Sequence, residues 1–192
     1  MLAGILNDSC LDPELRVGSD PYLQFAQTHD GAVPKEVYVA RDTYALRSLY
    51  PRINNIAQEE SIVDSGSQIV SMAESVAVEM GLTWNPNITI NMQSANGAVE
   101  KSLGLAENVA FSFGGVTVYL QVHIIRNPAY RVLLGRPFDV LTSSTVQNSE
   151  DGDQRIVITD PNSERRAVLP TYRRGESPDV LQRQKAQTTL RN

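Results

Sequence analysis

The alternation of apolar and polar residues along the chain predicts a protein built mainly from β-strands. We expect strands at residues 36–40, 44–50, 61–63, 68–72, 88–92, 99–106, 109–113, 116–125, 131–134, 155–159 and 166–169. The turn residues that hairpins need occur between several of these runs, as Asn-Gly at 96–97, Gly-Gly at 114–115 and Asp-Pro-Asn at 160–162. The middle of the chain should therefore be a succession of hairpins.

Helical periodicity is confined to short stretches. Apolar residues recur at i, i+3, i+4 and i+7 across residues 73–80, and Gly81 stands where a glycine commonly ends a helix. Pro137 suits the first turn of a second short helix after Gly135, because proline lacks only an N–H that would have no partner there. A further short helix is expected at residues 21–26. The fold class should thus be mainly β with one or two short helices in the folded domain.

The pattern also predicts how the chain is divided. Residues 1–35 show no sustained period and are expected to be a loosely ordered N-terminal arm. Residues 36–145 should form the folded domain, and residues 146–170 a C-terminal β-hairpin extension. From residue 171 to 192 the sequence is polar without periodicity, which is typical of a disordered tail.

Composition and charge narrow the possible functions. With 17 Lys and Arg residues against 22 Asp and Glu residues, the net charge of −5 disfavours nucleic acid or an anionic membrane as a partner. A single cysteine, Cys10, and two histidines without metal-ligand spacing predict neither a disulfide nor a bound metal, and no cofactor is expected. No apolar run is long enough to span a bilayer. We expect a soluble protein of the cytoplasm, with virus-like particles as one setting.

The candidate chemistry is the tetrapeptide Asp64-Ser65-Gly66-Ser67, which directly follows a short apolar strand. Alone it is weak evidence, because an aspartate in such a turn often accepts only local backbone hydrogen bonds. Three features downstream change this picture: an Asn-Gly hairpin, a β-rich middle region, and a Leu-Leu-Gly strand end at residues 133–135 that runs into a short helix.

This order of features resembles the retropepsin family of aspartic proteases over roughly residues 37–142. Residues 62–67 (Ile-Val-Asp-Ser-Gly-Ser) and 132–138 (Val-Leu-Leu-Gly-Arg-Pro-Phe) look like the protease segment of gag-pol polyproteins from gypsy-type LTR retrotransposons of fungal type. The resemblance implies a retropepsin-like acid protease barrel. It also implies an aspartic endopeptidase that cleaves extended peptide segments, in particular within its own polyprotein.

The resemblance implies a catalytic role for the tetrapeptide. Peptide hydrolysis in this class uses two carboxyl groups that share one proton around a water molecule. The chain has one Asp-Ser-Gly triplet, so a symmetric homodimer is expected to supply the second aspartate. Ser65 would reach across the twofold axis, and Gly66 would allow close backbone approach. Ser67 would hydrogen-bond Asp64, or it is a simple turn hydroxyl.

The resemblance also implies a substrate-binding flap and a supporting strand. The flap and the side-chain pockets are expected to involve Gln93, Ser94, Ala95, Asn96, Gly97, Ile69 and Leu134. Leu133, Gly135 and Arg136 are expected to support the site. An acidic partner for Arg136 is expected at Glu74 or Asp139, since Gln68 and Ile69 occupy the region where relatives carry an acid.

Two other interpretations stay open from the sequence. One is a catalytically silent domain of the same fold that serves in dimerisation or peptide binding, and it shares every motif named above. The other is an unrelated β-barrel with a chance triplet, which predicts that Asp64 and residues 133–135 lie far apart in space.

Overall fold

Strands dominate the part of the chain that the computed structural model describes, which is residues 21–31, 47–93, 97, 99–149 and 153–178. The helices are α1 (Pro21–Thr28), α2 (Glu74–Glu79) and α3 (Arg136–Thr142). The strands are β1 (Arg47–Leu49), β2 (Arg52–Ile53), β3 (Ala57–Gln58), β4 (Ser61–Val63), β5 (Val70–Ala73), β6 (Asn91–Gln93), β7 (Val99–Lys101), β8 (Gly104–Phe113), β9 (Val116–Ile125), β10 (Val132–Leu134), β11 (Thr145–Asn148), β12 (Gln154–Thr159), β13 (Arg166–Pro170) and β14 (Tyr172–Arg173).

The N-terminal unit, residues 1–42, contains α1, which confirms the short helix predicted there. The rings of Phe25 and His29 stack with their centroids 3.9 Å apart. Cys10 and the strand predicted at residues 36–40 lie outside the described residues. The remaining elements belong to a second unit, residues 43–192.

The largest sheet brings distant parts of the sequence together. Its strand order is β14-β1-β4-β10-β5-β9-β8-β2-β3. β10 lies between β4 and β5 and runs parallel to β4, so that Leu134 is opposite Val63. The ends of β4 and β10 therefore lie side by side, and this places the loop that begins at Asp64 next to Gly135.

The core is formed mainly by the long β8–β9 hairpin and the elements that cover it. Alternate residues of β9 are buried, as predicted for a strand with one face on the core. Phe111 on β8 and Phe138 on α3 are fully buried. α2 presents Val76 and Ala77 to the same core, and Gly81 follows with a positive φ of 61°, so the predicted helix and its glycine end are both confirmed.

The C-terminal extension forms a second sheet in the order β11-β12-β13. The hairpin predicted from residues 155–159 and 166–169 is present as β12 and β13, and β11 adds a strand that the sequence did not predict. Ile156, Ile158 and Leu169 are buried within the main core cluster. The extension is therefore part of the folded domain's core.

Residues 171–176 form a C-terminal strap against the edge of the large sheet. β14 pairs with β1, and Arg47 Nε donates a hydrogen bond to Thr171 Oγ1 at 2.8 Å. The Tyr50 hydroxyl donates to the Glu176 carbonyl oxygen at 2.9 Å. The disordered tail predicted from residue 171 is corrected over this stretch, because its backbone pairs with β1. Residues 179–192 lie outside the described residues.

Tyr50 links the strap to the pH dependence of stability. Burial above all, assisted by carboxylates such as Glu60, raises the pKa of Tyr50 to about 12. Unfolded tyrosine ionises near pH 10 while folded Tyr50 stays neutral to about pH 12, so unfolding becomes easier in that window. Because the side chain is only partly buried, we expect a loss of about 1 kcal/mol in the free energy of unfolding.

The measurement is urea unfolding on either side of this window. Tyr50→Phe should show a smaller alkaline loss than the unmodified protein, and Tyr119→Phe, at an exposed tyrosine on β9, should leave the loss unchanged. An equal loss in all three proteins would contradict the assignment to Tyr50.

Candidate functional site

The Asp64 loop begins where β4 ends and is held against β10. The Asp64 N–H donates a hydrogen bond to the Leu134 carbonyl oxygen at 3.0 Å, which continues the parallel pairing of the two strands. Asp64 and residues 133–135 are therefore direct neighbours. This excludes the interpretation of a chance triplet, which required the two segments to lie far apart.

The backbone of the loop fixes the Asp64 carboxylate. The Gly66 N–H donates to Asp64 Oδ1 at 3.0 Å, and the Ser67 N–H donates to the Asp64 carbonyl oxygen at 3.0 Å. Asp64 is half-buried, while Ser65 and Gly66 are exposed. The loop thus presents a restrained carboxylate and an outward-facing serine at the protein surface.

No hydrogen bond joins the Ser67 hydroxyl to the Asp64 carboxylate among the described residues. The Ser67 hydroxyl donates to the Ile69 carbonyl oxygen at 3.2 Å and accepts the Ile69 N–H at 3.4 Å. The predicted hydrogen bond to Asp64 is corrected on this point, because the turn directs the hydroxyl back to its own backbone. The alternative role, a turn hydroxyl, is the one observed.

Gly135 lies where two backbone segments meet. A Cβ atom placed on Gly135 would stand 2.0 Å from the Ile69 carbonyl oxygen and 2.7 Å from that of Ser67. The next residue, Arg136, donates its N–H to the Ser67 carbonyl oxygen at 2.8 Å. The backbone at the end of β10 therefore packs directly against the Asp64 loop, and a supporting role of Gly135 in catalysis stays a prediction.

Arg136 has no acidic partner among the described residues. The Glu74 Oε2 atom lies 3.9 Å from Arg126 Nε, and Asp139 Oδ1 accepts a hydrogen bond from the Ser144 hydroxyl at 2.6 Å. The predicted pairing of Arg136 with Glu74 or Asp139 is corrected, because Arg136 points to solvent at the start of α3. Its backbone, rather than its guanidinium, supports the site.

A cleft of about 730 Å³ opens beside the Asp64 loop. The residues that line it are Gly66, Ser67, Gln68, Ile69, Ser71, Ile90, Asn91, Met92, Gln93, Glu100, Ile125, Asn127, Pro128, Ala129 and Tyr130. Ile69 lines the cleft, and its role in substrate binding stays a prediction. Leu134 is fully buried in the core instead, so its predicted place in a substrate pocket is corrected. Leu133 is half-buried on the same strand.

One wall of the cleft is the hairpin of β6 and β7. Met92 is opposite Glu100, and Gln93 is opposite Val99. At its base the Ser102 N–H donates to the Ile90 carbonyl oxygen at 2.9 Å. Gly97 has a positive φ of 84°, which suits a hairpin turn. Ser94, Ala95 and Asn96, predicted at the flap tip, lie outside the described residues.

Polar groups on the cleft floor were not predicted from the sequence. The hydroxyls of Ser71 and Tyr130 lie 2.8 Å apart and form a hydrogen bond. Burial raises the pKa of Tyr130, the hydrogen bond with Ser71 opposes this rise, and the Glu100 carboxylate adds to it. Deeper in the sheet, burial lowers the pKa of His123, whose Nδ1 is 3.4 Å from Ser102 Oγ. A tyrosine after Asn-Pro-Ala carries no signal that could have identified it.

A partly buried ion pair between Glu59 and Arg131 lies next to the two strands that form the site. Glu59 precedes β4 and is 8% exposed, and Arg131 precedes β10. Arg131 donates from Nε to Glu59 Oε1 at 2.5 Å and from Nη2 to Glu59 Oε2 at 2.8 Å. Hydrogen bonding to Glu59 raises the pKa of Arg131 further above its ordinary value. The pair ties together the two strands whose ends form the Asp64 site.

Arg131→Met is expected to lower the free energy of unfolding by about 2 kcal/mol, because the Glu59 carboxylate would stay buried without its cation. The matched control is Glu79→Gln, which removes the more exposed contact of Arg131 with Glu79 at 2.7 Å and should cost less than about 1 kcal/mol. Urea unfolding measures both values. Equal losses in the two variants would show that burial of Glu59 does not matter.

No group of three His, Cys, Asp or Glu side chains converges among the residues that the structure describes. No helix in the same residues is long and apolar enough to cross a membrane.

Comparison with known proteins agrees with this geometry. Residues 51–138 match the sequence model of a family described as gag-polyprotein putative aspartyl protease. No curated protein matches the chain. The fold is similar to the crystal structure of the retroviral protease-like domain of Ddi1 from Leishmania major, with a TM-score of 0.53 and 12% identity over 70% of this chain and 100% of that chain.

A second solved structure, a retropepsin-like aspartic protease from Rickettsia conorii, aligns with a TM-score of 0.35 and 12% identity over 65% of this chain and 79% of that one. The likeness to the Leishmania domain confirms the predicted fold class, a mainly β, retropepsin-like architecture. Together with the family match, it supports a retropepsin-like aspartic protease domain.

Proposed function

We propose that the protein is an aspartic endopeptidase that works as a symmetric homodimer, with one Asp64 from each subunit. The observation that carries this proposal is the position of Asp64. Its carboxylate accepts the Gly66 N–H, its backbone N–H bonds the end of β10, and the next residues of its loop, Gly66 and Ser67, line a cleft large enough for a peptide segment. A restrained carboxylate at the edge of a groove is the group that water activation requires.

In the proposed reaction, two aspartates share one proton around a water molecule. The ionised carboxylate takes a proton from the water as its oxygen attacks the scissile carbonyl carbon. The protonated carboxyl donates a hydrogen bond to the carbonyl oxygen and stabilises the tetrahedral intermediate. The C–N bond then breaks, and the nitrogen leaves with a proton from the pair. No cofactor takes part in these steps.

The dimer follows from this chemistry, because the sequence holds a single Asp-Ser-Gly triplet. Asp64 is half-buried and Ser65 is exposed, so the loop is accessible to a second copy. We infer that the Ser65 hydroxyl bonds the partner's loop and holds the two carboxylates in register. Completion of the site by a second copy is then a condition for activity.

The substrate is proposed to be an extended peptide within a polyprotein. Strands β6 and β7 would close over it, and their Gln93–Gly97 connection would form the flap tip. The match to gag-polyprotein putative aspartyl proteases supports this substrate class. Origin in a gypsy-type retrotransposon of fungal type and action in the cytoplasm or in virus-like particles belong to the same proposal.

A second candidate is a catalytically silent domain that dimerises or binds peptides. It is favoured by one observation, the likeness to a retroviral protease-like domain of Ddi1, which shows this fold within another kind of protein. Both candidates share the Asp64 loop and the cleft, so only activity separates them.

The experiment that tests the proposal is incubation of the purified protein with a peptide library, with and without a statine-type inhibitor. The expected result is a set of cleaved peptides that disappears when the inhibitor is present. The mass of the protein in solution, measured at the same concentrations, should show that activity appears together with the dimer. Stable peptide binding without inhibitor-sensitive products would overturn the endopeptidase and favour the silent domain.

A further inference from the structure

The cleft carries a single formal charge on its lining. Among the lining residues that the structure describes, Glu100 is the only Asp, Glu, Lys or Arg. The other polar groups around it are neutral: the amides of Gln68, Asn91, Gln93 and Asn127, and the hydroxyls of Ser67, Ser71 and Tyr130. A ligand in the cleft therefore meets one negatively charged lining residue, Glu100.

The position of Glu100 directs its carboxylate to the cleft. On β7, successive side chains point to opposite faces, so Glu100 faces away from its neighbours Val99 and Lys101. Its cross-strand partner Met92 also lines the cleft. Tyr130 lines the same cleft. Burial raises the pKa of Tyr130, the hydrogen bond with Ser71 opposes this, and the charge of Glu100 adds to the rise.

Two arginines near the cleft form ion pairs with acids other than Glu100. Arg126 lies 3.9 Å from Glu74, and Arg131 pairs with Glu59 and Glu79. Glu100 forms no ion pair with any residue in the described part of the chain. The Glu100 carboxylate is therefore available to a cationic ligand in the cleft.

We propose that Glu100 is a specificity-determining residue that selects peptide segments with a lysine or arginine side chain beside the scissile bond. This inference rests on the proposed function, since it names the substrate class of the same cleft. The basic side chain would extend its apolar stem along residues such as Ile125 and Pro128. Its cationic end would lie between the Glu100 carboxylate and the Tyr130 ring, two groups that both attract a cation.

Symmetry makes the proposal more specific. A homodimer carries two Glu100 residues related by the twofold axis, one on each side of the bound peptide. The preference for a basic residue should therefore appear at one position before and one position after the scissile bond. A peptide with acidic residues at both positions should be the poorest substrate.

The test uses matched peptides that differ only in having Lys, Gln or Glu at each position around a cleaved bond. For the unmodified protein we expect kcat/KM to be about tenfold higher with Lys than with Glu at the selected position, as the attraction and the repulsion of an exposed pair add. Glu100→Gln should reduce this ratio to less than about twofold. Raising the salt to about 1 M should weaken the preference of the unmodified protein, since exposed charges are then screened.

Glu107→Gln is the control, because it removes one exposed carboxylate from β8 outside the cleft lining. This variant should keep the full preference for lysine. Unchanged selectivity in Glu100→Gln, or equal loss of selectivity in Glu107→Gln, would overturn the assignment to Glu100.

Peptide binding by the Asp64→Asn protein separates this inference from the proposed catalysis. If no peptide is cleaved, but the lysine peptides bind more tightly and Glu100→Gln removes the difference, the endopeptidase fails and the recognition by Glu100 stands. If peptides are cleaved without regard to charge, the endopeptidase stands and the role of Glu100 is overturned. If peptides are neither cleaved nor bound, both are overturned.

Discussion

Asp64→Asn is expected to lower kcat by a thousandfold or more, roughly the contribution of a general base to a hydrolytic step. The amide cannot take a proton from water, and a homodimer would lose both carboxyl groups at once. The fold should survive the change, because an amide oxygen can still accept the Gly66 N–H that Asp64 Oδ1 accepts at 3.0 Å. We expect the free energy of unfolding to change by less than about 1 kcal/mol.

Asp160→Asn is a closely matched control. Asp160 also accepts the N–H of the residue two positions later through Oδ1, from Asn162 at 2.8 Å, but it lies in the turn between β12 and β13. The same chemical change in the same kind of turn should leave peptide cleavage intact. The measurements are kcat/KM on a cleaved peptide and thermal unfolding of both variants.

Two outcomes would count against catalysis by Asp64. Turnover by Asp64→Asn at the level of the unmodified protein would assign the activity to another group or to a contaminant. Loss of activity in both variants, together with lowered unfolding temperatures, would point to damage to the fold. Loss in Asp64→Asn alone, with unfolding unchanged, supports the proposed pair.

Local sequence signals predicted those features that depend on neighbours along the chain. The period of α2, the glycine that ends it, the Gly-Gly turn between β8 and β9 and the alternation along β9 all act within a few residues. They were confirmed because the local preference and the packing agree at these places. The Asp64 triplet was recognised in the same way, as a polar turn after an apolar strand.

Pairing between segments that are distant in the sequence was harder to predict. The place of β10 between β4 and β5 depends on contacts across some seventy residues, and only the resemblance indicated that the Leu-Leu-Gly segment belonged beside Asp64. Strand β11 is exposed along its whole length, so no alternation marked it. The two-residue strands β2 and β3 flank Asn54 and Asn55, which both have positive φ and were read only as a break.

Side-chain orientation was the weakest part of the sequence analysis of the site. Ser67 and Leu134 lie in the segments predicted for the site. The Ser67 hydroxyl, however, bonds the Ile69 carbonyl oxygen, and the Leu134 side chain is buried in the core. For Leu134 on β10, a one-residue step along the strand reverses the face that a side chain presents, and the sequence of so short a strand does not fix that face. For Ser67, which lies in a turn, the sequence does not fix which nearby backbone group its hydroxyl bonds. The backbone supports of the site were therefore predicted better than its side-chain contacts.

Gly135→Ala is expected to destabilise the protein by about 3 kcal/mol or more and to abolish cleavage. The backbone of Gly135, with φ −87° and ψ −172°, suits any residue, so the cost is steric. A Cβ atom would meet the Ile69 carbonyl oxygen at 2.0 Å, and backbone atoms cannot rotate away as a side chain can. The segment that would have to move is the one whose Ser67 N–H holds the Asp64 carbonyl oxygen.

Gly115→Ala provides the control. A glycine with positive φ is usually the more sensitive to replacement by alanine, but here we expect Gly135, with an ordinary φ, to be more sensitive than Gly115. Gly115 has φ +93°, where alanine is strained, but nothing lies within 4 Å of its added Cβ atom. We expect this variant to lose about 1 to 2 kcal/mol and to remain active, since the β8–β9 turn does not line the cleft. Urea unfolding and peptide cleavage should therefore rank Gly135→Ala as the more damaging change. A larger loss of stability and activity in Gly115→Ala than in Gly135→Ala would contradict the claim that close packing of Gly135 against residues 67–69 holds Asp64 in place.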